Sequence, residues 1–217
     1  MKNFAVIFDM DGVIVNNTKY HVLNWIRFAK RFGIKLSSKT VRTKFLGKFA
    51  RETIRQMLGQ GLTNKEIEKL DIKREAYYRK IYAPYIKPLS GLKEFLESLK
   101  QHKVKIALAT AAPTVNVNFV LGRTGVRKYF HTIVDSKGVK HGKPDPEIFL
   151  KAAKKLKVSP KKCVVFEDSL NGIKAGQRAK MKVIAVATSH HPKELSHANL
   201  VIKDFRKITI NKLLKFI

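Results

Sequence analysis

The apolar run Phe4-Ala5-Val6-Ile7-Phe8 stops abruptly at Asp9-Met10-Asp11-Gly12, and five further β-rich runs follow along the 217 residues. These runs are mostly Val, Ile, Phe and Ala, as strands are when both of their faces are covered. Between most of them lie segments with helical periodicity. That alternation predicts an α/β fold built on a parallel sheet with crossover helices. Strands are predicted at residues 4–8, 104–110, 132–134, 163–167, 183–187 and 200–202. Helices are predicted at 92–101, 114–123, 146–156 and 170–179, with a last one at 209–216. Ser90, Pro113, Pro146 and Ser169 suit the starts of the first four.

One interval breaks the alternation. After the first strand, no convincing strand begins until Val104. Val22, Trp25, Ile26, Ala29 and Phe32 recur at steps of three or four and give residues 18–32 one apolar face. Thr63-x-x-Glu66 is a capping-box pattern that opens a helix towards Tyr82. Residues 17–84 therefore read as a helical insert, with Pro84 and Pro88 marking the return of the chain to the sheet. The expected division is a sheet core at 1–16 and 85–217 and an inserted helical domain at 17–84.

Bulk properties narrow the class. A hydrophobic fraction of 44% and a charged fraction of 28% fit a globular protein and neither disorder nor a membrane protein. No segment approaches the roughly 20 apolar residues of a membrane span. The first apolar run is too short for a signal-peptide core, so the chain is expected to stay unexported, in the cytoplasm. Cys163 is the only cysteine; it lies in an apolar run and reads as a buried, inert thiol. A monomer is expected.

The charge is unusual. Against 16 Asp and Glu stand 45 Lys and Arg, a net +29. Between Gly12 and Arg51 there is no acidic residue at all. Such a field concentrates anions, whether phosphorylated metabolites or a nucleic-acid backbone. The plainest reading is a lysine-rich solvated surface, because the basic residues are spread along the whole chain. No nucleic-acid-binding motif accompanies them, so nucleic acid is not expected as a partner.

Open parallel sheets bind ligands at the carboxyl ends of their strands. Asp9 and Asp11 follow the first strand, Thr110 closes the second, and Glu167-Asp168 closes the fourth; Lys143 lies in the turn-rich Gly142-Lys143-Pro144-Asp145-Pro146. Asp9, Asp168 and Glu167 offer hard oxygen ligands suited to Mg²⁺. A carboxylate can then attack a metal-held phosphoryl group, with Lys143, the Thr110 hydroxyl and nearby backbone N–H groups such as that of Ala111 on its oxygens. Asp11 could exchange the proton of the leaving and incoming oxygens. Each piece alone has a bland reading. Asp-x-Asp-Gly occurs in turns and calcium loops, Gly142-Lys143-Pro144 reads as a surface turn, and Glu167-Asp168-Ser169 reads as a helix start. The ordered set is the signal.

That set, as Phe8-Asp9-Met10-Asp11-Gly12-Val13, Ala109-Thr110-Ala111, Gly142-Lys143-Pro144-Asp145-Pro146 and Val165-Phe166-Glu167-Asp168-Ser169-x-Asn171-Gly172, resembles the haloacid dehalogenase superfamily. Within it, the chain is most similar to the β-phosphoglucomutase-like phosphatases and mutases. The resemblance implies a Rossmann-like core with a helical cap and Mg²⁺ as cofactor. It further implies Asp9 as nucleophile, Asp11 as acid/base with its backbone carbonyl on the metal, Asp168 as a metal ligand with Glu167 beside it, and Thr110 and Lys143 on the phosphate.

Two local departures bear on substrate choice. Asn16-Asn17 stands where relatives usually carry Asp followed by Ser or Thr, and Thr110 is followed by Ala111-Ala112. In the insert, Gly47-x-x-x-Arg51-Glu52 resembles a specificity loop, with Arg51 a candidate second anion clamp and Lys48 and Arg74 weaker ones. His21 is a candidate substrate-side residue. His190-His191 resembles a metal pair on paper and reads better as a surface loop. The expected function is a Mg²⁺-dependent phosphohydrolase acting on a small phosphorylated metabolite, such as a sugar phosphate, through an aspartyl-phosphate. A phosphoglucomutase-type isomerase is the alternative, and a basic nucleic-acid-associated protein the alternative of another class.

Overall fold

The computed structural model describes residues 4–217. All six expected strands form: β1 (Ala5–Phe8), β2 (Lys105–Ala109), β3 (Thr132–Val134), β4 (Cys163–Glu167), β5 (Lys182–Val186) and β6 (Leu200–Ile202). They pair in parallel throughout, in the order β3-β2-β1-β4-β5-β6. This is the doubly wound Rossmann-like order, whose direction reverses between β1 and β4, so a crevice opens at their carboxyl ends.

Strand parity sets the two layers. Val6 and Phe8 of β1, with Val164 and Phe166 of β4, face one core, while Ala5, Ile7, Cys163 and Val165 face the other. On the first face Phe8 stacks on Phe166 at a centroid separation of 5.0 Å, and Phe95 and Phe205 pack around the pair. Fully burying such rings stabilises the fold by about 2–3 kcal/mol each.

The long interval between β1 and β2 is helical, as its periodicity predicts. It holds α1 (Thr18–Lys30), a short α2 (Ser38–Thr40) that runs on into a π turn at Val41–Phe45, α3 (Ala50–Leu58) and α4 (Asn64–Tyr82). These helices enclose a third core of Val22, Trp25, Phe28, Val41, Phe45, Ile54 and Ile67. The capping box forms: the Thr63 hydroxyl accepts from Glu66 N at 3.3 Å, and the Glu66 carboxylate accepts from Thr63 N at 2.8 Å. The chain leaves and re-enters the sheet side by side, with Leu89 N donating to Ile14 O at 2.8 Å.

The remaining helices are α5 (Leu92–Gln101), α6 (Thr114–Thr124), α7 (Glu147–Leu156), α8 (Leu170–Arg178) and α9 (Ile210–Leu214). Ser169 caps α8 by accepting from Gly172 N at 3.0 Å. Three expectations need correction. The residue at the start of α5 is Gly91 in a left-handed conformation, not Ser90, because the chain turns there more sharply than a serine cap allows. Phe32 lies beyond the end of α1 and is exposed, and Phe28 takes its place in the core. His190 is buried rather than on a surface loop. Among the described residues, no helix is long and apolar enough to cross a membrane.

Candidate active site

The carboxyl ends of β1 and β4 bring Asp9, Glu167 and Asp168 together. One carboxylate oxygen from each lies within 4.8 Å of the others, and all three residues are buried. Lys143 reaches this cluster from the loop before α7. Its Nζ donates to Asp9 Oδ1 at 2.7 Å and also bonds Glu167 Oε1. The four residues that the sequence scatters over 160 positions thus form one contact group.

Glu167 is the organiser. Its second oxygen, Oε2, accepts from Asp168 N and Ser169 N, both at 2.7 Å, and from the Ser169 hydroxyl at 3.0 Å. With Lys143 on the first oxygen, Glu167 fixes both the lysine and the turn that presents Asp168. Asp9 and Asp168 are left to face the cavity. Gly12 makes this approach possible. A Cβ there would fall 1.9 Å from Asp168 Oδ2, and its φ of +76° is left-handed.

Were all three carboxylates ionised, one lysine cation would leave two negative charges uncompensated, and the carboxyls resist that ionisation. Burial pushes the Asp9 carboxyl up to about 8, with Lys143 pulling it down and Glu167 and Asp11 adding to the rise. Burial, with the charges of Glu167 and Asp9, also drives Asp168 well above the carboxylate range. Lys143 rises too: burial disfavours its charge, and Asp9 and Glu167 outweigh that cost. A divalent cation cancels the residual charge and meets the hard oxygens it prefers, so this donor set fits Mg²⁺.

Asp11 lies at the cavity edge in a different environment. Its Oδ1 accepts from Asn17 Nδ2 at 2.6 Å and lies 3.5 Å from His21 Nε2. Burial opposes its ionisation, but His21 and the bonds from His21 and Asn17 prevail and lower its pKa. Burial likewise opposes charge on His21, and Asp11 outweighs it, so the ring titrates above its usual range. Asn17 is fully buried at the start of α1. Its carbonyl accepts from Gly12 N at 3.1 Å, and its amide also donates to the Tyr78 hydroxyl of α4 at 2.6 Å. Sequence reading had Asn17 only as a departure from pattern and missed Tyr78. The one available signal was the four-residue step from Asn17 to His21, which puts both on one helix face.

Thr110 is buried at the end of β2 and lines the cavity with Ala111. Its Oγ1 accepts from Ala112 N at 3.1 Å, which leaves the hydroxyl proton to donate. The cavity holds about 840 Å³ and runs from this cluster to the α1–α4 segment, within the range of small-molecule sites.

The candidates on that segment fare unevenly. Arg51 bonds the Lys140 carbonyl, and the adjacent Glu52 accepts from Gly142 N at 3.2 Å, so the pair clasps the loop that carries Lys143. Arg74 is buried over the Trp25 ring at 3.9 Å and is bonded to Asp71, at 2.6 Å, and to Glu75. Glu75 in turn bonds Asn116, and Arg79 donates to Asn116 Oδ1 at 2.6 Å. Arg74 therefore enters the cavity wall charge-balanced by its neighbours, with its buried Nη1 left without a hydrogen-bond partner. Lys48 lines the wall half-buried. His190 packs under Asp168 with its Nδ1 2.7 Å from the Ser189 hydroxyl, whereas His191 is exposed and caps a separate turn. They do not form a ligand pair.

An open Rossmann-like sheet with a buried acid–lysine cluster at its switch point defines a class of α/β enzyme folds. Within that class, residues 6–186 match the haloacid dehalogenase-like hydrolase family, and the chain belongs to it. Members of this family generally work with Mg²⁺. The chain is 34% identical to a phosphorylated carbohydrates phosphatase of Thermotoga maritima over 83% of each chain. It is 29% identical to the chloroplastic 5-amino-6-(5-phospho-D-ribitylamino)uracil phosphatase of Arabidopsis thaliana over 97% of this chain; the match spans 57% of the plant protein's length. Its fold superposes on a β-phosphoglucomutase from Clostridium difficile with a TM-score of 0.87 at 29% identity, covering 98% of this chain and 96% of the other.

Proposed function

We propose that the protein is a Mg²⁺-dependent phosphohydrolase acting on a small phosphorylated metabolite, and that residues 17–84 serve as its cap. The observation that carries this reading is the Asp9–Lys143–Glu167–Asp168 cluster opening into one large cavity. Asp9 and Asp168, with the Asp11 backbone carbonyl, would hold the cation, whose chemistry is to neutralise and orient phosphoryl oxygens. Asp9 attacks phosphorus, the P–O bond to the leaving oxygen breaks, and that oxygen takes through Asp11 the proton that the Asp11–His21 pair holds on the imidazole. Asp11, again a carboxylate, takes a proton from water, which attacks phosphorus and releases Asp9 and inorganic phosphate. Lys143, the Thr110 hydroxyl and the Ala111 amide steady the phosphoryl oxygens.

The relatives named as phosphatases support hydrolysis. Arg74 is already balanced by Asp71 and Glu75, and Arg51 is engaged with the Lys140 loop. Arg74 still keeps one buried donor, Nη1, without a partner at the cavity wall, which suits an oxygen on the remainder of a small phosphorylated substrate such as a sugar phosphate. The structural likeness to a β-phosphoglucomutase keeps transfer to a sugar hydroxyl as the second reading. A screen of phosphorylated metabolites with Mg²⁺ tests the first: activity must vanish in Asp9→Asn, and survival there removes Asp9 as nucleophile. With β-glucose 1-phosphate and a bisphosphate primer, free glucose supports hydrolysis and glucose 6-phosphate supports the mutase.

A further inference from the structure

The even spread of lysine along the sequence folds into an uneven distribution in space. Because every strand is parallel, the turns that lead into β2, β3, β4 and β5 all gather at one end of the sheet, opposite the carboxyl ends that hold Asp9 and Asp168. Those turns are residues 100–105, 122–132, 154–162 and 178–182. Together they hold fourteen Lys or Arg and no Asp or Glu.

Contacts place the turns side by side. Ala5 pairs with both Lys105 and Cys163, and Val164 pairs with Lys182, so three basic turns meet across adjacent strands. The Lys105 ammonium donates to Leu156 O at 2.9 Å at the end of α7, beside Lys154, Lys155 and Lys157. Ile106 N donates to His131 Nδ1 at 3.1 Å, which joins the Arg127–Lys128 turn to the same edge. Lys100, Lys103, Lys161, Lys162 and Lys180 are exposed there, and none of the fourteen makes an ion pair among the described residues. At the border, the α5 acids Glu97 and Glu94 act on Tyr129.

A second observation points the same way. Three non-glycine residues have a positive φ among the described residues: Lys103, Lys157 and Lys180, at 55°, 54° and 59°. Each follows a helix and leads towards a strand of this face, at a kind of position that usually takes Gly or Asn. Cations near helix carboxyl ends favour the helix dipole, but that effect fades within one turn and is satisfied by one charge per helix. The α7–β4 turn alone carries five.

We propose that this face binds the phosphodiester backbone of a nucleic acid, without reading its sequence, independently of catalysis at the opposite end of the sheet. Charge complementarity selects the class: five neighbouring strands span about 19 Å at the usual strand spacing, a width that suits a tracked polyanion. None of the exposed large hydrophobic residues lies in the four turns. An anionic membrane surface would call for apolar side chains to insert, and a protein partner for a charge-poor interface centre.

The test is fluorescence anisotropy of a labelled, mixed-sequence single-stranded RNA of about 20 nucleotides across a salt series, each neutralised phosphate contributing about −0.7 to the slope of log K against log salt. The wild-type chain is compared with K154E/K161E/K162E/K182E and with K65E/K69E/K73E/K80E, which makes the same charge change on α4. Circular dichroism melts check that both variants fold. The expected result is that the face variant binds about tenfold or more weaker at low salt, with a slope shallower by about 2–3, while the α4 variant changes less than about threefold. Equal losses in the two variants overturn the proposal and leave a diffuse charge effect. No wild-type binding at about 50 mM salt overturns it outright. Binding to phosphatidylserine vesicles more tightly than to the RNA assigns the face to membranes and overturns it as well.

Discussion

Asn17 Nδ2 lies 2.6 Å from Asp11 Oδ1, and the same amide donates to Tyr78 Oη, also at 2.6 Å. One fully buried side chain thus ties the aspartate after β1 to α4, whose Tyr78 lies sixty-one residues from Asn17 in the chain. The Asn17 carbonyl on Gly12 N fixes the amide's orientation, so both amide protons are committed. Asp11 is held where a proton can pass between it and a substrate oxygen.

Asn17→Ala removes that hold. The expected outcome is a kcat lower by about 10- to 100-fold, within the range that positioned acid/base groups contribute. KM for the phosphorylated substrate changes little. A stability loss of about 1–3 kcal/mol accompanies it, because Asp11 and Tyr78 lose a buried partner. Steady-state kinetics together with urea melts separate the two effects.

The crowded carboxylates make the metal-free protein sensitive to pH. A folded-state pKa raised to about 8 at Asp9 means that the native state holds a proton the unfolded chain gives up. That stability is fully present below the unfolded carboxyl pKa of about 3.9 and is lost as pH rises through the folded value. Thermal melts in chelator should therefore fall between pH 5 and pH 8. Mg²⁺ should raise the melting temperature more at pH 8 than at pH 5; an equal gain at both would mean that the cluster is not where the ion acts.

Gly12→Ala places a Cβ 1.9 Å from Asp168 Oδ2 at a left-handed φ. The strain costs about 1–2 kcal/mol, and Asp168 must move away from Asp9. Loss of Mg²⁺-dependent turnover with a folded circular dichroism spectrum is the expected outcome. Full activity would show that Asp168 tolerates displacement.

Cys163 opens β4 fully buried, and burial pushes its thiol up to about 12. Iodoacetamide at neutral pH should leave the native protein unmodified and alkylate it fully in denaturant, as mass spectrometry would show.

Consecutive apolar positions in 4–8 and 163–167 could be read directly, because burying both faces of a strand needs hydrophobic side chains at every position. The helical interval after β1 was legible for the same reason: Val22 and Trp25 keep a 3.6-residue period. Strand-end acids are local marks, so Asp9, Thr110, Lys143 and Asp168 could be named from the chain alone. What the chain could not give was the pairing. That Lys143 spans Asp9 and Glu167, that Arg74 is balanced by Asp71 and Glu75, and that Asn17 reaches Tyr78 depend on how helices and strands pack across long separations. The charge makes the same point. The sequence determined that lysine is abundant, and only the parallel topology decided that the four acid-free turns into β2, β3, β4 and β5 meet on one face, because parallel strands bring their beginnings to one end.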